Sequence, residues 1–304
     1  MSDTAQSVQS MRIGLIAGEG ELPVRVAENA RDRGASVVSL SVSSKNRTAL
    51  AKVCDGAVHA IQPGMVETNL ALLRKEAVKH IVFAGKVNKW ILLKHPQLDQ
   101  RAVAALKEVS RFNDDDVMLW LVNSLESEGF QVLNQTAFLR DLFLPAGVCT
   151  KAQPTERDRQ DIKMGFNLAK TMGGLDIGQT VTVKHGMVLA VEAIEGSDEC
   201  IKRAGKWSKR SGSFLGLFGL NGKQTGGVVV KVEKPGQDPR FDVPTVGLRT
   251  LKTMRKAGLN VLATEANKTF YLEPQKMKEY ANEHGMVMVS VTEQEMLEGQ
   301  ADVC

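Results

Sequence analysis

The chain has 304 residues, 43% of them hydrophobic and 24% charged, with a formal net charge of +4. That length supplies core for two domains or one large one. The small, dispersed charge and the 5% aromatic content argue against a nucleic-acid partner. The four cysteines (Cys54, Cys149, Cys200 and Cys304) are scattered without a CxxC pair, so reduced cytosolic thiols are expected rather than a disulfide frame or a zinc site. Met1 to Ser10 is polar and lacks the apolar stretch of a signal peptide, and no run reaches the roughly 20 apolar residues of a membrane span. A cytoplasmic protein is the expectation, unless something recruits it to a surface.

The first elements in chain order read as an α/β domain. Arg12 to Ala17 is an apolar run ending in Gly18-Glu19-Gly20, Leu22 to Arg33 has helical spacing, Gly34 stops it, and Ser36 to Val42 is a second buried strand. Strand–glycine turn–helix–strand is the opening of a doubly wound parallel sheet. The pattern continues with strand Ala57 to Ile61, helix Glu67 to Ala77 and strand His80 to Ala84. Helices Leu98 to Val109 and Asp114 to Glu128 follow, then a short strand near Phe130 to Leu133. Residues 11–145 therefore form an expected Rossmann-like domain, and 146–154 has linker composition. Residues 155–304 form the second domain. Thr155 opens a charged helix that Gly173-Gly174 should close, and Thr180 to Lys184 with Met187 to Ala193 spell a hairpin. Helix Ser197 to Ala204, strand Gly227 to Val232, helix Val246 to Ala257 and strand Val261 to Ala263 follow. Short strand Phe270 to Leu272, helix Glu273 to His284 and strand Met286 to Ser290 complete it.

Several motifs have both a chemical and a plain reading. The turn carrying Gly18 and Gly20 offers backbone N–H groups and a helix N-terminus to a phosphate or ribose, or is simply a tight turn. It is a poor dinucleotide fingerprint, because Pro23 occupies the third glycine position and no acid ends the second strand. Gly85 and Lys86 follow the strand ending at Ala84, at the carboxyl edge where such sheets bind ligands; Lys86 reaches a phosphate or is a solvated loop lysine. Asn113, Asp114, Asp115 and Asp116 precede an apolar helix, which suits helix capping as well as substrate or metal contact. Asp176, Gln179, Glu192 and Glu195 flank the hairpin, and gathered carboxylates suit Mg2+, a hard cation that takes oxygen ligands. Residues 203–220 mix basic side chains with Trp207, Phe214, Leu215, Leu217 and Phe218. That composition fits a peripheral contact with anionic lipid, or a glycine-rich loop folded against its own domain. The five histidines are far apart and no GxSxG elbow is present, which disfavours a serine or cysteine hydrolase.

The densest signal is residues 234–247, where two carboxylates, two cations, a carboxamide and a hydroxyl share a stretch with three prolines and two glycines. Proline fixes φ and disfavours helix before it, so these groups sit on a stiff, irregular loop. Asp242 lies between Phe241 and Val243, where a carboxylate should be partly buried, and Thr245 is placed to N-cap the helix that follows.

Together these residues resemble the UDP-2,3-diacylglucosamine pyrophosphatase family of the LpxI type. The matching motifs are Leu15-Ile-Ala-Gly-Glu-Gly-Glu-Leu-Pro23, Ala84-Gly-Lys-Val87, Asp115-Asp116 and Leu175-Asp-Ile-Gly-Gln179. Leu189-Ala-Val-Glu-Ala-Ile-Glu-Gly196 follows, then Lys234-Pro with Gln237, Arg240, Asp242, Pro244-Thr245 and Gly247. The resemblance implies a Rossmann-like N-terminal domain, a family-specific C-terminal α/β domain and substrate lying between them. It implies Mg2+-dependent hydrolysis of the pyrophosphate to UMP and 2,3-diacylglucosamine 1-phosphate (lipid X) in lipid A biosynthesis, with Asp242 matching the essential aspartate. The departures are Glu19, where a third glycine often stands, and the Gly/Ser-rich insert near 205–226.

On this reading Asp242 binds Mg2+ or the water it activates, with Asp176, Glu192 and Glu195 as candidate partners. Lys234 and Arg240 offset phosphate charge, while Gln237 and Thr245 supply hydrogen bonds. Gly18, Gly20, Gly85, Lys86, Asp115, Asp116 and Gln179 contact substrate. The partners expected are a lipid-linked UDP-sugar and, through residues 203–220, the inner face of the inner membrane; a homodimer stays open. The rival readings are a nucleotide-sugar or lipid binding module without chemistry and an NAD-dependent oxidoreductase.

Overall fold

The computed structural model describes residue 8 and residues 10–86, 97–108, 114–216 and 226–298, with backbone alone at 105–108, 114–115 and 209–216. The chain divides into two compact units: Met1–Arg140 together with Asp238–Asp242, and Asp141–Gln237 together with Val243–Cys304.

The first unit is built on a five-stranded sheet of β1 (Arg12–Ala17), β2 (Ser36–Ser41), β3 (Val58–Ala60), β4 (His80–Ala84) and β5 (Gln131–Val132), ordered β3-β2-β1-β4-β5 with every pairing parallel. The helices are α1 (Leu22–Asp32), α2 (Arg47–Val53), α3 (Val66–Lys75), α4 (Gln100–Glu108) and α5 (Asp114–Ser127). A parallel sheet buries both faces under helices, which is why its strands read as apolar runs rather than alternating ones. Ile13, Leu15, Val37, Val38, Ile81 and Val82 are all fully buried. Helices α3 and α5 pack Leu70, Leu73, Val122 and Leu125 against Val38, Leu40, Ile81 and Phe83 in one core cluster. The strand order reverses between β1 and β4, and open parallel sheets bind ligands beyond the carboxyl ends of the strands at such a reversal. Helix α2 and the 3-10 turn before it (Ser44–Asn46) were not expected from the sequence; α2 buries only Leu50 and so leaves little periodic signal.

The second unit carries a six-stranded mixed sheet ordered β6-β13-β11-β9-β7-β8. Its strands are β6 (Gly147–Val148), β7 (Thr180–Lys184), β8 (Met187–Val191), β9 (Gly227–Lys231), β11 (Leu259–Glu265) and β13 (Val287–Val291), with β10 (Thr245–Val246) and β12 (Phe270–Tyr271) forming a separate parallel pair. β9, β11 and β13 run parallel, while β6, β7 and β8 pair antiparallel. Strand alternation splits the valines: Val228, Val230 and Val232 pack with Ile162, Phe166 and Ala169 of α6 (Glu156–Gly174). Val229 faces the opposite cluster, with Ile201 of α7 (Ser197–Gly216) and Leu251 and Met254 of α8 (Leu248–Ala257). Helices α9 (Pro274–Glu283) and α10 (Glu293–Leu297) complete the unit. Thr155 caps α6 as a box, its Oγ1 accepting from the Asp158 amide at 3.2 Å while the Asp158 carboxylate accepts from the Thr155 amide at 2.9 Å.

Four readings change. Residues 146–154, expected as a linker, contribute β6, whose short backbone pairing with β13 has no sequence signature of its own. Gly173 and Gly174 form the last residues of α6 rather than lying beyond it, and a Cβ on buried Gly173 would come 3.2 Å from the Lys234 Cα and the Pro235 Cδ. Thr245 is not an N-cap: it pairs with Phe270 across β10–β12, its hydroxyl donates to the Val243 carbonyl at 3.1 Å, and Gly247 precedes α8 instead. Helix α7 runs to Gly216, well past Ala204, because the glycines that suggested a loop are tolerated where a helix packs tightly; a Cβ on Gly205 would lie 2.8 Å from the Ala257 Cα. Residues 217–220 of the expected lipid-contacting segment lie outside the described residues, as do the side chains of 209–216, and Trp207, on α7, is 54% exposed. No described helix is long and apolar enough to cross a membrane.

Candidate functional site

In the first unit the two loops at the strand-order reversal are stitched together. The Gly18 amide donates to the Ala84 carbonyl at 2.9 Å, Glu19 donates to Lys86 O at 2.8 Å, and Lys86 donates back to Glu19 O at 2.9 Å. Only glycine permits this approach, since a Cβ on Gly18 would lie 2.7 Å from the Lys86 carbonyl oxygen. Gly85 has φ +85°, and a Cβ there would lie 2.7 Å from Glu19 O. The amides of Gly18 and Glu19 are thus spent on the neighbouring loop, which fits the tight-turn reading of these two positions. Gly20, with φ +97° and open space around it, and the first turn of α1 are what the turn has left to offer. The Asn46 carboxamide clamps the turn by donating to Gly18 O at 2.7 Å and Gly20 O at 2.9 Å. The Glu19 carboxylate accepts from Lys45 Nζ at 2.8 Å and Ser43 Oγ at 3.3 Å, and the Lys45 bond foremost holds its carboxyl below the usual range. Lys86 is exposed and Asp116 half-buried, while residues 87–89 and 113 and the Asp115 side chain lie outside what is described.

In the second unit the carboxyl ends of β9 and β11 gather the other candidates. Lys234 Nζ meets Asp176 at 2.8 Å, so a cation expected on phosphate and an acid expected on metal pair with each other. Gln237 closes a turn, its Oε1 accepting from the Lys234 amide at 2.9 Å. Among the described residues its Nε2, like Oε1 of Gln179, is buried without a hydrogen-bond partner. A buried orphan polar atom costs about 1–3 kcal/mol, so two of them on adjacent loops suit a polar ligand that completes their bonding. Glu192 is buried and accepts from Ser197 Oγ at 2.9 Å and from the Gln179 amide at 3.4 Å. Ser197 accepts in turn from Lys231 Nζ at 3.1 Å and Thr180 Oγ1 at 3.0 Å, and Lys231 also donates to Thr245 O at 3.0 Å. Glu195 accepts from the Ala193 amide at 3.2 Å and pairs with Arg203; backbone hydrogen bonding foremost, then Arg203, holds its carboxyl low.

These contacts test the expected metal set. Among the described residues no group of three or more His, Cys, Asp or Glu side chains is placed to hold a metal ion. Asp176, Glu192 and Glu195 each serve a local partner instead, so that trio does not fit as a cage. Mg2+ also binds through one or two carboxylates together with substrate phosphates, and a single carboxylate such as Asp242 fits that mode.

The loop of residues 234–247 divides between the units: Lys234, Gln237 and Thr245 fold with the second, and Asp238–Asp242 with the first. Arg240 forks onto Asp238, with Nε 3.0 Å from both carboxylate oxygens and Nη2 2.7 Å from Oδ2, while its Nη1 donates to Glu126 of α5 at 3.0 Å. Phe241 packs on the α3–α5 core cluster, and the amide of half-buried Asp242 donates to the Asp238 carbonyl at 2.9 Å.

Two family models cover nearly all of the chain: the LpxI N-terminal domain over residues 12–142 and the LpxI C-terminal domain over residues 145–289. The chain belongs to the LpxI family. A curated relative from Caulobacter vibrioides, UDP-2,3-diacylglucosamine pyrophosphatase LpxI, is 28% identical over 286 residues, spanning 93% of this chain and 99% of the relative. The solved ADP complex of N5-carboxyaminoimidazole ribonucleotide synthetase overlays on 64% of this chain and 45% of its own at 14% identity. Its TM-score of 0.26 is too low to bear on fold or function. The LpxI C-terminal match includes residues 238–242, which fold with the N-terminal unit, so the family's sequence domains and the compact units part company at this loop.

Several residues of this LpxI chain escaped sequence reasoning. Asp238 was counted among the acids of the 234–247 loop but given no role, Glu126 lacks motif context, and Ser197 and Lys231 meet only through tertiary packing. Leu175, Ile177 and Ile194 are exposed apolar side chains on two touching loops, with Ile194 94% exposed. Their signal was present as large aliphatic residues inside otherwise polar loops.

Proposed function

We propose that this protein is a Mg2+-dependent UDP-2,3-diacylglucosamine pyrophosphatase, releasing UMP and 2,3-diacylglucosamine 1-phosphate for lipid A synthesis. The end-to-end LpxI match carries the reading, and the motif resemblance assigns Asp242 the role of the family's essential aspartate. Hydrolysis adds one water across the P–O–P bridge: the water oxygen bonds to phosphorus, the bridging P–O bond breaks, and its electron pair leaves on the departing phosphate. Such a reaction needs charge stabilisation and an aligned water more than covalent chemistry. Mg2+, when bound, supplies positive charge against the phosphate oxygens, and Asp242 is the residue assigned to hold it or to accept the water's proton. Lys234 exchanges Asp176 for a phosphate oxygen, while Gln179 and Gln237 turn their unpartnered amide atoms to substrate. Leu175, Ile177 and Ile194 offer apolar contact to acyl chains. The enzyme works in the cytoplasm and meets its substrate at the inner membrane surface, with exposed Trp207 as a contact.

The test is to incubate the purified protein with UDP-2,3-diacylglucosamine, with and without Mg2+, and assay UMP. UMP that depends on Mg2+ is expected; substrate binding without turnover would leave a binding module instead. Vesicle-presented substrate and a Trp207→Ala variant test the membrane contact separately.

A further inference from the structure

We infer that Asp238, Arg240 and Glu126 form a clasp whose role is to position Asp242, so that Arg240 is a positioning residue rather than a phosphate ligand. The inference rests on the reading of Asp242 as the decisive carboxylate. Three observations carry it, all within the first unit.

The bonding of Arg240 comes first. Its Nε and Nη2 are committed to Asp238 and its Nη1 to Glu126, while the Arg240 amide donates to Asp238 Oδ1 at 2.9 Å. Fork-on geometry of this kind is directional and strong. One guanidinium facing two carboxylates is already neutralised, which makes it a poor attractor for a pyrophosphate.

The second observation is where the clasp leads. Asp238 fixes the next residues through its side chain and through its carbonyl, which accepts from the amides of Phe241 at 3.3 Å and Asp242 at 2.9 Å. The turn that presents Asp242 is therefore closed by the same residue that grips Arg240.

Third, the clasp is anchored. Glu126 sits on α5, and Phe241 packs on the core cluster to which α5 contributes Val122 and Leu125. The flanking residues Gln237 and Val243 fold with the other unit. The placement of Asp242 is thus set by α5 and the core beneath it, not by its chain neighbours.

The variants Asp238→Asn, Arg240→Lys and Glu126→Gln distinguish the two roles. A positioning clasp predicts that Asp238→Asn lowers kcat by about 10-fold to 10²-fold, the scale of losing roughly 1 Å of alignment, with KM nearly unchanged. A phosphate ligand predicts the reverse, because that change frees a cation. Arg240→Lys keeps the charge and loses the fork, so the clasp predicts it fails to rescue kcat, whereas a simple charge role predicts near-wild-type rates. Glu126 is part-exposed, so Glu126→Gln should fold normally and give a smaller loss in kcat, read well below its unfolding midpoint. In an Asp242→Ala background, Asp238→Asn should add no further loss. Wild-type kcat in all three single variants with Asp242→Ala inactive would overturn the clasp alone. An active Asp242→Ala would overturn the underlying reading instead.

Discussion

The turn at residues 18–20 and the segment Asp238–Asp242 both belong to the first unit, yet they are held by opposite means. The turn is held by backbone hydrogen bonds to the β4 loop, at a separation that excludes any side chain on Gly18. The segment is held by ionised side chains, one guanidinium between two carboxylates. Steric exclusion does not depend on pH or salt, whereas ion pairs depend on both. The first arrangement suits a rigid cradle; the second suits a residue whose exact placement matters and whose support can be tuned.

That contrast can be broken at several points. The largest effect is expected at Asp242→Ala, which should lower UMP release by about 10²–10³-fold, as for loss of a charge-stabilising group, with the thermal midpoint little changed. Loss of stability without loss of specific activity would make the segment structural only. Next is Gly18→Ala, which should destabilise by about 1–3 kcal/mol through overpacking against the Lys86 backbone, read by urea unfolding and indifferent to salt.

A smaller effect is expected in acid. The Asp238 carboxyl is depressed in the folded protein, so its contribution is complete above its ordinary 3.8 and is lost as pH falls through the lower folded value. Wild type should therefore lose stability more steeply than Asp238→Asn as the pH falls below about 4; parallel curves would remove the clasp from the stability balance. The smallest effect is expected at Lys45→Ala. It removes an exposed partner of Glu19 but leaves the backbone stitching intact, so the unfolding midpoint should not move.

Much of the fold was legible because it rests on local rules. His80–Ala84 and Thr180–Lys184 were read to the residue, since apolar runs ended by turn residues mark buried strands. The opening strand–turn–helix–strand was legible for the same reason. Thr245, the end of α7 and β6 were not. A strand of two residues has no periodicity, and a helix that runs on past its glycines does so because of a neighbour the sequence does not display.

The candidate site divides in the same way. Motif residues such as Asp242, Lys234 and Gln237 stood out as polar groups on a proline-stiffened loop, because unusual residues in unusual company need no partner to be noticed. Their partners were invisible. Asp176 lies 58 residues from Lys234 in sequence and Glu126 lies 114 from Arg240. The chain sequence by itself determined the α/β class and the residues worth watching, which depend on composition and short spacing, and its motifs carried the resemblance to the LpxI family. Only the tertiary structure decided that Arg240 is already neutralised, that the Gly18 amide is spent, and that the loop divides between two units. Each of those depends on which distant charges and backbone groups come within hydrogen-bonding distance, and that is a property of packing.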